Sequence, residues 1–336
     1  MNIETVTRYQ DFIRLSMDWN RLVRESENPS VFLTHEWYSA WWEGFAERRR
    51  MNIILVREEN GTLTGIAPFF HENGRIQFMA SRKVTDYCDF IVKKGRTKDF
   101  LFAVFSALRR DRKIKKNITL INIPESSPTL SCLEEAAARN DFCCEGNRWE
   151  AAPVLGLPAS FQDYLNSLRR KDRHEMKRKA RRMEKNPQVR IEYLTEPIRI
   201  EPALPEFIRL HKKGGEDKKA FWEKRGITHF FENLTFQLSR RGMAELDLLY
   251  MEDVLIGALF NLLYKDNIYF YNVAYHPEYS RYSPGIYLFF SRIKKAIENR
   301  KRAVDFLRGQ EKYKYAFGAK DRLLYQVKLK LKENPE

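Results

Sequence analysis

The sequence predicts an α/β (α+β) chain built as two copies of one plan, each a mixed, mostly antiparallel sheet flanked by helices. Three observations carry that expectation. Asn52 to Arg57 and Thr62 to Phe70 are strand-like runs around Asn60-Gly61, a strong hairpin turn signal. A second set of strand-like runs, Ala244 to Met251, Val254 to Tyr264 and Ile268 to Tyr275, forms a meander with turns at Glu252-Asp253 and Lys265-Asp266-Asn267. Leu63-Thr64-Gly65 stands in the first set where Leu255-Ile256-Gly257 stands in the second, just inside the second strand.

Taken in order, Glu4 to Glu25 reads as an amphipathic helix, or a strand and a helix, with Phe12, Trp19, Leu22 and Val23 in its apolar set. Thr34 is a candidate N-cap for a short aromatic helix bearing Trp37, Trp41 and Phe45, and such a density of rings predicts core packing. After the hairpin come a third strand from Arg75 and a strand-like piece at Asp86 to Phe90. A helix at Thr97 to Arg110, a strand at Asn117 to Ile123, a helix at Ser127 to Asn140 and a strand at Asp141 to Glu150 follow. The expected division is 1–155 and 156–336. The second part opens with a basic helix at 165–186, where Arg169 to Lys185 holds ten Lys/Arg against three Asp/Glu before Asn186-Pro187 stops it. Helices broken by glycine continue to Arg241, with His211 and Trp222 among them, and the meander comes next.

Composition narrows the function classes. The chain has 336 residues, 43% of them hydrophobic, with 60 Lys/Arg against 45 Asp/Glu, a net charge of +15. That charge speaks to anionic partners, not to fold: phosphates of a cofactor, a nucleotide-linked substrate, tRNA, or an anionic lipid surface. No apolar run reaches the ~20 residues of a membrane span, and MNIETVTRYQDF has no apolar core of a signal peptide. Cys88, Cys132, Cys143 and Cys144 have no metal-ligand spacing, so a cytoplasmic protein with reduced thiols is the expectation. No P-loop, HExxH, GxSxG or dinucleotide glycine fingerprint is present, which removes support for ATPase, hydrolase and dehydrogenase readings.

The densest functional signal runs from Asn267 to Gly318. A strand is followed by Arg281-Tyr282-Ser283-Pro284-Gly285 and a helical pattern through Ile297. Ser283 suits an N-cap, Pro284 the first helical position, and Gly285 lets a ligand approach the backbone. With Ile286, these amides and Arg281 predict a phosphate or pyrophosphate site at a helix N-terminus. Asp305-Phe306-Leu307-Arg308-Gly309-Gln310-Glu311-Lys312-Tyr313-Lys314 then places a charged cluster after a short strand, where open α/β sheets hold ligands.

These two stretches resemble the CelD/BcsL-like branch of the GNAT acyltransferase superfamily, which is related to Fem-type peptidyltransferases. The resemblance spans Phe32 to Lys328 and implies tandem GNAT-like folds, a basic helix ahead of the catalytic copy, and acyl-CoA, commonly acetyl-CoA, as co-substrate without a metal. Only Gly285 remains of the two glycines usual in the pyrophosphate turn, and Tyr287 stands where a small residue is expected. The resemblance implies proximity catalysis with Asp305 or Glu311 as base, Lys314 and Arg308 stabilising the oxyanion or holding an acidic acceptor, and Tyr313 protonating the departing thiolate. Trp37, Asp89, Lys171, Arg173, Tyr275 and Arg308 are assigned to acceptor binding, the acceptor being a small or sugar-linked amine or hydroxyl for envelope or exopolysaccharide material. Two alternatives stand beside this: a Fem-type transferase using aminoacyl-tRNA, and a non-catalytic binding protein of a polysaccharide system that touches an anionic membrane surface.

Overall fold

The computed structural model describes residues 1–47, 49–79, 84–110 and 117–332. The chain divides into two compact units: Met1–Glu150 with the stretch from Arg322 onward, and Ala151–Asp321. The expected break at 155 therefore falls close to one boundary, but the C-terminal strand belongs to the first unit and not to the second.

The first unit holds β1 (Asn2–Val6), α1 (Tyr9–Arg14), α2 (Ser16–Glu25), α3 (His35–Phe45), β2 (Arg50–Arg57), β3 (Leu63–Glu72), β4 (Arg75–Phe78), β5 (Ile91–Val92), α4 (Thr97–Arg110), β6 (Asn117–Pro124), α5 (Pro128–Ala138) and the start of β7 (Phe142–Gly156). Its strand order is β1-β2-β3-β4-β6-β13-β7, where β13 is Lys320–Leu331, and β5 pairs with β3. The pairs among β1, β2, β3, β4 and β5 and the β6–β13 pair are antiparallel, and β4 with β6 is parallel. Alternation along the strands sends Ile54, Val56 and Phe69 toward α4 and α5. Phe70 packs on the other face against Trp41 of α3, ring centroids 5.2 Å apart. The strand-like piece at Asp86 to Phe90 is irregular backbone, and only Ile91–Val92 pairs. Outside a ladder it is held by single bonds to Asn122: the Cys88 amide donates to the Asn122 carbonyl at 3.0 Å, and Asn122 Nδ2 donates to the carbonyl of the preceding Thr85 at 2.9 Å.

The second unit holds the end of β7, α6 (Phe161–Ser167), α7 (Arg170–Glu184), β8 (Val189–Leu194), α8 (Pro197–Lys212), α9 (Glu216–Glu223), α10 (Ile227–Ser239), β9 (Ala244–Met251), β10 (Val254–Tyr264), β11 (Asn267–Tyr275), α11 (Pro284–Glu298), β12 (Ala303–Asp305) and α12 (Lys312–Ala316). Its order is β7-β12-β11-β10-β9-β8, with β11 and β12 the parallel pair. One face is covered by α6, α7 and α11 over Leu249, Leu259, Ile268, Phe270 and Val304. The other is covered by α8 to α10 through a ring cluster of Phe207, Trp222, Phe231, Phe260 and Tyr271.

The two units repeat one device in detail. In each, the middle residue of Leu-x-Gly is a bulge: the register passes from Leu63 to Gly65, and from Leu255 to Gly257, against consecutive partners on the neighbouring strand. Each glycine sits under a crossover helix. A Cβ on Gly65 would fall 2.0 Å from the Phe100 ring, and one on Gly257 would lie 3.1 Å from Leu288 and 3.2 Å from Pro284. The helix in question, α4 or α11, connects strands that end up parallel.

Candidate active site

Within the second unit the sheet opens beside β11. Strand β12 pairs with it only over Asn267 to Tyr269 and ends at Asp305, while β11 runs on to Tyr275 along β10. The register also skips Tyr271, a bulge inside the stretch that β12 leaves uncovered. The His276 amide bonds to the Ile256 carbonyl on β10. In an antiparallel ladder the backbone groups alternate, so Ala274 faces β10 while Val273 and Tyr275 turn theirs to the open edge.

Next to this edge stands the N-terminus of α11. Pro284 fills its first position, but Ser283 does not act as the expected side-chain cap: it is left-handed, φ 58° and ψ 53°, and makes no side-chain cap bond. That leaves the amides of Gly285 and Ile286 to an outside acceptor. Gly285 is not demanded by the fold, because its φ is ordinary and an added Cβ would meet Val273 at 3.5 Å, a normal contact. Arg281 lies over the Tyr282 ring at 4.8 Å and donates to its hydroxyl at 3.1 Å. Arg182, from the last turn of α7, lies over the same ring at 5.9 Å. Two guanidiniums and a 15-residue helix start thus converge at one ring.

The sequence placed Lys171 and Arg173 at the site; the structure brings the other end of the basic helix there. Met176, Ala180 and Met183 bury one stripe of α7, consistent with an i, i+4, i+7 face. Lys171 is exposed, and Arg173 donates back to the Leu165 carbonyl at 3.3 Å. Arg182 was hidden in the sequence because nothing in a run of ten cations marks which one meets Tyr282.

The charged cluster after β12 is a self-tied loop. Buried Asp305 accepts the Leu307 amide on Oδ1 at 2.8 Å, an Asx-type turn that helps hold Leu307 at φ 59°. Lys314 is buried, 3% exposed, and its ammonium donates to the carbonyls of Leu307, Arg308 and Gly309 at 3.1, 2.8 and 3.1 Å. Glu311 adds a carboxylate at 2.9 Å. These partners use all three ammonium donors, so Lys314 is a loop anchor and not the oxyanion donor expected from the sequence. Arg308 is half-buried in the same loop. Tyr313 stacks on Phe289 of α11 with centroids 5.5 Å apart, and Phe289 in turn stacks on Phe270 of β11 at 5.0 Å. The rings therefore bind loop, helix and open strand into one assembly. Burial, aided by the Glu311 charge, pushes the Tyr313 phenol well above its ordinary range, which keeps it protonated.

Four further residues complete the picture. His211 Nδ1 accepts the Trp222 indole proton at 2.9 Å, and burial, with the charge of Lys218 second, holds its pKa down at about 3. So weak a base suits a packing role. Lys218, unmarked in the sequence, donates to the Val273 carbonyl at 3.3 Å and lies 5.4 Å from the Tyr275 ring. Trp37 and Asp89 are core residues of the first unit, which corrects their assignment to acceptor binding. The Trp37 ring has no exposed surface and its indole meets Thr85 at 3.3 Å. Asp89 Oδ1 accepts from Phe90 N and Thr129 Oγ1 at 2.9 and 2.7 Å, while burial lifts its pKa to about 6.

Comparisons with known proteins fit this geometry. Residues 170–315 match the family described as an acetyltransferase (GNAT) domain. The fold is similar to the crystal structure of FemX, with a TM-score of 0.65 at 13% identity over 97% of each chain. It is also similar to the C-terminal domain of a putative lysylphosphatidylglycerol synthetase from Agrobacterium fabrum, TM-score 0.61 at 10% identity, covering 95% of this chain and 91% of that one. A tandem GNAT protein from the clavulanic acid biosynthesis pathway gives 0.53 at 12% identity over 97% and 98%. No match to a curated protein is found. No helix among the described residues is long and apolar enough to cross a membrane. The open strand, the uncapped helix and the tied loop all lie within the stretch that matches the GNAT acetyltransferase domain, so the chain carries a GNAT-type acyltransferase domain within a fold like that of FemX and the tandem GNAT protein.

Proposed function

We propose that the second unit transfers an acyl group, acetyl in the simplest case, from acyl-CoA to an amine or hydroxyl of a sugar or envelope precursor. The observation that carries this is the start of α11: amides at Gly285 and Ile286 without a side-chain cap, beside Arg281 and Arg182. A pyrophosphate seated there lies along the helix start, and the thioester arm follows the open edge, where the Val273 amide and the Tyr275 backbone are presented. The acceptor nitrogen or oxygen attacks the thioester carbon, the carbon–sulfur bond breaks, and the acceptor proton leaves through Glu311, the exposed carboxylate of the loop, to water. Tyr313, held protonated, donates to the departing thiolate and is reprotonated from solvent. Asp305, Lys314 and Arg308 fix the loop that carries these groups. The first unit serves as a scaffold: Arg96, just ahead of its crossover helix α4, pairs with Glu58 at 3.3 Å and Asp99 at 3.8 Å. Its own carboxylates occupy the place an anion would take.

A second reading, aminoacyl-tRNA as donor in the Fem manner, is favoured by the exposed cations of α7 and by the likeness to FemX. Calorimetry with acetyl-CoA and CoA separates the two. Wild type binds in the micromolar range and Gly285→Glu, which sets a carboxylate at the phosphate seat, binds roughly 100-fold more weakly. Absence of binding to wild type removes the acyl-CoA reading. The tRNA donor then takes its place, recognised by affinity that falls steeply with salt.

A further inference from the structure

The open edge of β11 carries cations that the donor site does not use. Lys218 of α9 reaches the Val273 carbonyl with one of its three donors. Its stem is seated on Gly214, where an added Cβ would fall 2.8 Å from Lys218 Cδ, so the side chain is aimed at the strand and not at solvent. One residue past the strand, His276 Nε2 lies 3.0 Å from Lys213 Nζ. An ammonium can only donate, so the imidazole proton resides on Nδ1, and Nδ1 is buried without a hydrogen-bond partner among the described residues. Neither Lys213 nor Lys218 pairs with a carboxylate among the described residues, although Glu216 and Asp217 are near in sequence. Lys218 is half-buried, and burial pulls its pKa below the ordinary lysine value with no neighbouring carboxylate to oppose it. A half-buried ammonium without a countercharge is costly, and an anion from outside the chain relieves that cost.

We propose that Lys218 and Lys213, the latter positioned by His276 Nε2, seat an anionic group of the acceptor, a phosphate or a carboxylate, so that the acceptor is an acidic molecule and not a neutral sugar. This rests on the acyl-transfer reading only for the word acceptor. The donor phosphates have their own seat at Arg281, Arg182 and the start of α11, whereas the lysines line the edge where the acyl group is presented.

The test is calorimetry at saturating CoA with glucosamine, glucosamine 6-phosphate and muramic acid, in wild type, Lys218→Met, Lys213→Met and the double variant. Methionine keeps the stem packing of each lysine, and Lys219→Met, exposed on the same helix, is the control. In wild type at least one anionic sugar binds about tenfold or more tighter than glucosamine, and which one does tells phosphate from carboxylate. Each single substitution weakens that preference, the double variant abolishes it, and Lys219→Met retains it, while acetyl-CoA affinity is unchanged throughout. Equal binding of the neutral and acidic sugars, no binding of any, or a preference that survives the double substitution overturns the proposal. An anion preference that depends on the lysines in a protein that binds no acetyl-CoA sinks the donor reading and leaves the anion seat standing.

Discussion

At position 314 the sequence offers a lysine in a run of charged residues, a setting in which solvation is the ordinary fate. The fold buries it under three carbonyls instead. Two backbone features explain the need: Leu307 at φ 59° and Gly309 at φ 108° turn successive carbonyls inward, where they require a donor. A Cβ at Gly309 would stand 2.6 Å from Glu311 Oε2, so the carboxylate closes over the same turn. The carbonyls and not the ion pair should carry the stability. Lys314→Met leaves three buried acceptors unpaired and is expected to lower stability by roughly 2–5 kcal/mol in urea unfolding. Glu311→Gln removes a partner that is largely exposed and should cost under about 1 kcal/mol. Similar losses in both variants would assign the anchoring to the salt bridge and undo this account. None of this was legible before the structure, because the carbonyls that bind Lys314 belong to backbone whose turns no residue type announces, apart from Gly309.

At the scale of elements, the regular pieces were readable and the reasons for them local. Thr97 to Arg110 forms the predicted helix end to end, and the hairpin closes at Asn60-Gly61 as its turn signal requires. Strand β8 and the first turns of α8 were missed. The α8 segment carries Pro202 and Pro205, which argue against a helix interior on propensity alone, yet packing on β10, β11 and α10 overrides it. The paired Leu-x-Gly was visible as a weak repeat; what makes it informative is the helix above each glycine. Gly65→Ala drives a methyl into the Phe100 ring and should cost about 1–3 kcal/mol by urea denaturation, with part of the loss recovered by adding Phe100→Leu. Gly257→Ala meets the flexible end of Leu288 and the edge of Pro284 at ordinary-to-tight range, so its cost should be the smaller of the two. A larger cost at Gly257, or no recovery with Phe100→Leu, would mean that the glycines serve the bulge conformation and not the helix approach.

For the whole molecule, the net charge of +15 directs attention to anionic ligands, but charge has no address. Its useful members, Arg182, Arg281, Lys213 and Lys218, are spread from α7 to the end of α11's preceding turn and meet only in the folded second unit. The same non-locality hid the last element. Lys320 to Leu331 follows the second copy in sequence, so local patterning assigns it there, whereas its register pairs Leu324 with Pro124 and Lys330 with Asn117 in the first unit. Val327 and Leu329 complete that unit's core beside Phe142 and Leu120. A chain ending at Asp321 therefore retains every residue of the second unit and loses a central strand of the first. Burying Val327 and Leu329 is worth several kcal/mol at about 1.5–3 kcal/mol each, on top of the ladder with β6. That is a large share of the ~5–15 kcal/mol by which a domain is stable. Amide hydrogen exchange on the shortened chain should show protection lost along β6 and α4 while β9, β10 and α11 keep theirs. Acetyl-CoA binding, which the proposed function assigns to the second unit, should persist. Loss of protection across β9 to α11 as well would mean that the first unit supports the donor site, and would make it more than a scaffold.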